Sequence, residues 1–76
     1  MSVMDQIECV TRYDLVKAEG GGWQLNSGGK VVAWREEKSA LLNDLQATLD
    51  RVGDGDGKVR IHTETGGVEE ERTYPR

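Results

Sequence analysis

The chain has 76 residues, with 10 basic and 14 acidic side chains and a formal net charge of −4. That leaves room for one small domain and excludes a multi-domain enzyme, and the acidic balance has the wrong sign for a broad phosphate-neutralising surface. A chain this short buries only about 60% of the surface it exposes when unfolded, close to the lower limit for folding alone, so help from a partner chain is expected.

Residues Met1 to Gln6 show no period and read as a flexible lead-in, with a single domain over residues 7–75. From Ile7 the pattern changes: Ile7, Cys9, Tyr13 and Leu15 fall on odd positions and Glu8, Arg12 and Asp14 on even ones. That is the period-two signature of a strand with one buried face. Val10 and Val16 sit on the other face, which points to partial cover there too. Cys9 is the only cysteine, so no internal disulfide and no thiolate zinc site are expected, and it reads as a small buried strand residue.

Gly20-Gly21-Gly22 marks a turn into Trp23 and Leu25, which alternate around Gln24, and the pair of segments reads as a hairpin. Asn26-Ser27-Gly28-Gly29 marks a second turn before Lys30-Val31-Val32-Ala33-Trp34, a run rich in β-branched residues. Residues 23–34 fit either one bulged strand or two short ones. A phosphate-binding loop is excluded, because the glycines lead into strand patterns and Gly29-Lys30 runs on into Val31.

From about Glu36, Leu41, Leu42, Leu45, Leu49 and Val52 recur at helical spacing, which predicts one amphipathic helix of about four turns. Glu36 and Glu37 suit its N-terminus, Ser39 is a candidate cap, and Gly53 or Gly55 ends it. Asp54 and Asp56 follow, but the order of an EF-hand loop fails because Lys58 and Val59 stand where an oxygen ligand and the glycine belong. Val59 and Ile61 then alternate with Arg60 and His62, and Thr65-Gly66-Gly67 turns the chain into Val68 to Tyr74. Glu69-Glu70-Glu71 with Arg72 reads as charge that guards a sheet edge.

The expected layout is α+β, in the order β-β-α-β-β, with an antiparallel sheet and one helix packed on one face. One helix cannot cover both faces of such a sheet. The uncovered face or an exposed edge is therefore the candidate interaction surface, carried by Val10, Val16, Val32 and Trp34. The expected partner is a second copy of the chain, giving a homodimer, or another protein. The alternative is single-stranded nucleic acid, RNA above all, held on a sheet-face patch of Arg12, Lys17, Lys58 and Arg60, with the tryptophans as stacking platforms. His62, sharing a strand face with Arg60 and Glu64, reads as a solvent-facing or hydrogen-bonded strand residue. No nucleophile is fixed by spacing, so no catalytic residue, metal or cofactor is expected and the protein is not expected to be an enzyme. No run of 18 apolar residues occurs, and Asp5 and Glu8 interrupt the first ten residues. Neither a membrane span nor a secretion leader is expected, and the expected location is the cytoplasm.

Between Tyr13 and Tyr74 the arrangement resembles DUF2188, a family of short prokaryotic domains of unknown function. The resemblance rests on Gly22-Trp23 at a strand start, the central helix, Val59-Arg60-Ile61-His62 in the third strand, the Gly66-Gly67 turn and Thr73-Tyr74 near the end. The helix is richer in leucine than that family's alanine-rich pattern. The resemblance implies a compact β-β-α-β-β fold, brings no catalytic residue with it, and draws attention to His62, Thr73 and Tyr74.

Overall fold

The computed structural model describes residues 11–74. The lead-in, the residues Ile7, Cys9 and Val10, and Pro75 lie outside the described residues. Five strands form one sheet: β1 (Arg12–Lys17), β2 (Trp23–Ser27), β3 (Lys30–Arg35), β4 (Gly57–His62) and β5 (Val68–Tyr74). Two helices, α1 (Lys38–Asn43) and α2 (Leu45–Val52), separate β3 from β4. The spatial order is β3-β2-β1-β4-β5.

The first three strands form by local turn chemistry. In β1, Tyr13 and Leu15 point into the core while Arg12, Asp14 and Val16 point away. The Ala18 amide donates to the Gly22 carbonyl at 2.9 Å and closes the turn into β2, where Trp23 and Leu25 are buried. Gly28 and Gly29 both take positive φ, +59° and +83°. This two-residue loop, with Ser27 paired to Lys30, matches the right-handed twist of the strands it joins. Residues 23–34 are therefore two strands. Val32 is the extra residue of a bulge, because Leu25 pairs with Ala33 and Asn26 with Val31.

The sheet is mixed, which corrects the expectation of an all-antiparallel one. Two reversals leave β3 running in the direction of β1. The helical segment then carries the chain back across the sheet to its starting end, so β4 must run parallel to its neighbour β1. The register is Arg12 with Lys58, Tyr13 with Val59, Asp14 with Arg60 and Leu15 with Ile61. The strand count is five rather than the four implied by β-β-α-β-β.

The expected single helix is two. Asp44, at φ −108° and ψ 14°, leaves helical geometry between α1 and α2. Its carboxylate accepts from Arg35 at 3.3 Å instead of capping α2. The apolar stripe runs through the break: Leu41, Leu45 and Leu49 are fully buried and pack with Leu15, Leu25, Val59 and Ile61. The start is Lys38 rather than Glu36, with Glu37 as the cap residue and Ser39 inside the helix. Lys38 fastens α1 to the sheet. Its ammonium donates to the His62 carbonyl at 3.0 Å and to Glu69 at 2.8 Å, and it lies 4.8 Å from the Trp23 ring centroid.

Two substitutions test this packing. Leu45→Ala removes a fully buried side chain from the helix–sheet seam, and chemical denaturation should show a loss of about 2–5 kcal/mol; a loss below 1 kcal/mol, on the order of an exposed site, would contradict the seam. Thr48 is fully buried with a hydroxyl that has no hydrogen-bond partner. Thr48→Val keeps the shape and removes the orphaned group, so it should stabilise the fold by about 1 kcal/mol. Destabilisation of that size would show that the hydroxyl is satisfied in solution.

Candidate interaction face

With the helices on one side of the sheet, the described residues leave the opposite side open, and the strand registers fix which residues share it. Val16 stands beside Gln24, and Gln24 beside Trp34. Asp14 stands between Asn26 and Arg60, and Asn26 beside Val31. Arg60 faces Glu71, Lys58 faces Thr73 and His62 faces Val68. The open face is thus a polar centre between apolar edges: Val31 and Trp34 on β3, and Val68 on β5. These are 56%, 49% and 56% exposed.

Trp34 does not stand free. Its indole Nε1 donates to the Gly21 carbonyl at 3.1 Å, and the ring lies on Gly22, where a Cβ would come within 2.6 Å of Cε2 and 2.7 Å of Nε1. Gly22 also holds φ +81°. The glycine run is therefore a turn and a seat for the indole, which leaves the other face of the ring to solvent.

In the polar centre, the His62 ring bridges two segments. Nε2 lies 3.0 Å from Asp14 Oδ1 on β1, and Nδ1 lies 3.2 Å from the Gly66 carbonyl in the β4–β5 turn. Both partners are acceptors, so a neutral ring donates to one of them at a time. Asp14 is the carboxylate partner, and Glu64, placed on the same strand face by the sequence pattern, makes no bond to the ring. Beside this pair, Arg12, Tyr13, Asp14, Lys58, Arg60 and Glu71 line a hollow of about 110 Å3. Arg60 reaches Glu71 at 3.8 Å, near the outer limit of an ion pair. Burial, then the negative charges of Asp56 and Asp54, hold the Tyr13 hydroxyl above its ordinary 10.0, so it stays neutral. On β5, Arg72 donates to Glu70 at 2.9 Å and to the Tyr74 hydroxyl at 3.3 Å. These two hydrogen bonds, Glu70 first, raise its pKa further.

Of the apolar surface expected from the sequence, Trp34 and Val16 lie on this face and Val10 lies outside the described residues. Val32 packs partly against the core instead, because the bulge turns it away from Val31 and Trp34. Val31 and Val68 belong to the face and were not among the expected residues. Of the basic patch, Arg12, Lys58 and Arg60 come together around the hollow. Lys17 does not join them: its ammonium lies 5.9 Å from the Trp23 ring, at the other end of β1. Among the described residues, no group of three His, Cys, Asp or Glu side chains could hold a metal ion. No helix among them is long and apolar enough to cross a membrane.

No family model matches the chain, and no curated protein or solved structure does either.

The indole seat is testable. Gly22→Ala combines a left-handed backbone with a collision against Trp34, so denaturation should show a cost of at least about 2 kcal/mol together with a changed Trp34 emission. Gly20→Ala, where an added Cβ meets nothing within 4 Å, serves as the control and should cost under about 1 kcal/mol. Equal effects at the two sites would contradict the seat.

Proposed function

We propose that the protein is a small, non-enzymatic interaction module of the cytoplasm that pairs with a second copy of itself through the open sheet face. The observation that carries this reading is the placement of the exposed apolar residues. Among the described residues, four large hydrophobic side chains are exposed, and Val31, Trp34 and Val68 all lie on the one face the helices leave uncovered. A single exposed valine needs no explanation, but a set confined to one face marks an interaction surface.

The face is favoured over the edges. Each edge strand carries a register shift, at Val32 on β3 and at Glu69 on β5. Bulges bend an edge away from regular pairing, and β5 adds three glutamates. At the polar centre Asp14 lies 3.0 Å from the His62 ring and Glu71 3.8 Å from Arg60, so both carboxylates on this face have a partner within it. A non-enzymatic role is supported by the setting of the His62 ring, whose two nitrogens each lie within hydrogen-bond distance of a protein oxygen, at Asp14 and Gly66. Kinship with DUF2188 belongs to the same proposal, supported by Gly22-Trp23 at the start of β2, Val59-Arg60-Ile61-His62 in β4 and Thr73-Tyr74 at the end of β5.

Five strands of about six residues present a face of roughly 24 by 20 Å. Two such faces together bury about 1,000 Å2, at the lower limit for a specific interface, so the dimer is weak and reversible. Sedimentation equilibrium should show concentration-dependent dimerisation in the micromolar range. The double substitution Val31→Lys with Val68→Lys should weaken it at least about tenfold, or about 1.4 kcal/mol, with the monomer still folded. A wild-type protein that stays monomeric at high micromolar concentration would overturn the proposal.

A further inference from the structure

We propose that the His62 ring is a proton-operated clasp that ties the β4–β5 turn to β1. The clasp lies within one chain, so it stands independently of self-association. Its basis is the chemistry of two contacts. Nε2 lies 3.0 Å from Asp14 Oδ1, and Nδ1 lies 3.2 Å from the Gly66 carbonyl. One oxygen belongs to a carboxylate and the other to a peptide carbonyl, and both are acceptors. A neutral imidazole carries one N–H and one lone pair, so in this geometry it sets the lone pair against one of the two oxygens. An imidazolium donates to both. The arrangement is complete only when the ring is protonated.

The two contacts are unequal, and that fixes which one switches. Hydrogen bonds to an ionised acceptor are about twice as strong as those to a neutral one, so a neutral ring keeps its proton on Nε2, facing Asp14, and releases Gly66. Gly66 holds φ +102° in a turn closed by bonds within residues 63–67, and the ring ties this turn back to β1. The other charges around the ring are largely compensated. From α1, the Lys38 ammonium reaches the His62 backbone carbonyl but pairs with Glu69 of β5 at 2.8 Å. Arg60, beside Asp14 in register, reaches Glu71 of β5 at 3.8 Å. Lys58, four residues back along β4, and Arg12 beside it stand about 13 Å away along the strand, where salt screens them. Glu64, in the turn, makes no bond to the ring. The side chain of His62 is only 18% exposed, so the two acceptors replace hydration that the imidazolium gives up. The unfolded chain holds neither acceptor in place. Proton uptake therefore favours the folded, closed form, and the clasp's contribution is present at acid pH and lost as pH rises through the ring's titration.

The test is an NMR titration of the full chain between about pH 8 and pH 5.5, at a concentration where sedimentation shows monomer. That window spans imidazole protonation and stays above the ordinary carboxylate range. The nitrogen shifts of the His62 ring should show the Nε2–H tautomer at the upper end and both nitrogens protonated at the lower end. The carbon signal of the Gly66 carbonyl should move along the same curve. Urea unfolding supplies the second readout. Over the same window the unfolding equilibrium constant of wild type should fall at least about threefold more than that of His62→Gln, and Glu64→Gln should respond as wild type does. An Nδ1–H ring at the upper end, a Gly66 carbonyl that does not follow the ring, equal responses of wild type and H62Q, or loss of the response in E64Q would each overturn the clasp. The ring and carbonyl signals are read on wild type, so the test decides the matter even where H62Q does not fold. Every sample is monomeric, so failure here leaves the dimer proposal standing.

Discussion

Everything in this fold depends on the seam between the leucine stripe and one side of the sheet. Leu41, Leu45 and Leu49 meet Leu15, Leu25, Val59 and Ile61, and all seven are essentially removed from water. Together with Tyr13, Trp23 and Tyr74 they form one buried cluster, and burial at about 25 cal/mol per Å2 of apolar surface is what offsets the ordering of the chain. The seam also decides what the other side of the sheet can be. Two short helices cover one face, and the chain has nothing further among its described residues to lay on the second. Among the described residues, the open face is thus a consequence of layer count before it is a feature of any particular side chain.

The helical crossover has a second consequence. By returning the chain to the starting end of the sheet, it sets β4 parallel to β1 and so makes neighbours of residues far apart in sequence. Asp14 and His62 meet across 48 positions, and Arg12 comes level with Lys58. The Asp14–His62 contact at the polar centre and the hollow that Arg12, Asp14, Lys58 and Arg60 share both depend on that pairing. The three strands formed from hairpins contribute the opposite kind of surface, with Trp34 folded onto the glycine turn that precedes β2 and Val31 left at the edge.

Much of this is legible in the residues. Tyr13 and Leu15 alternate with charged neighbours, glycine pairs stand at the turns, and the leucines recur at helical spacing; these signals are local, and each gives the element observed. The missing parts are non-local or sit in backbone detail. No local pattern separates a parallel from an antiparallel partner for β1, so the mixed sheet was out of reach, and the Asp14–His62 contact with it. The leucine stripe passes unbroken through Asp44, where a turn of the backbone held by Arg35 splits the helix. A bulge adds one residue to a strand without disturbing composition, and at Val32 it exchanges which valine meets Trp34. The basic patch was legible for the three residues on β1 and β4 that the register joins. It failed for Lys17, whose position at the end of β1 places it over Trp23 instead.

The most direct check is a methyl-resolved nuclear Overhauser spectrum of the protein in solution. The account predicts that the methyls of Leu41, Leu45 and Leu49 show contacts to Leu15, Leu25, Val59 and Ile61 and none within one chain to Val16 or Val68. Contacts from those leucines to Val16 or Val68, or an absence of contacts to the sheet, would contradict a layer of helices on one face with the other left open.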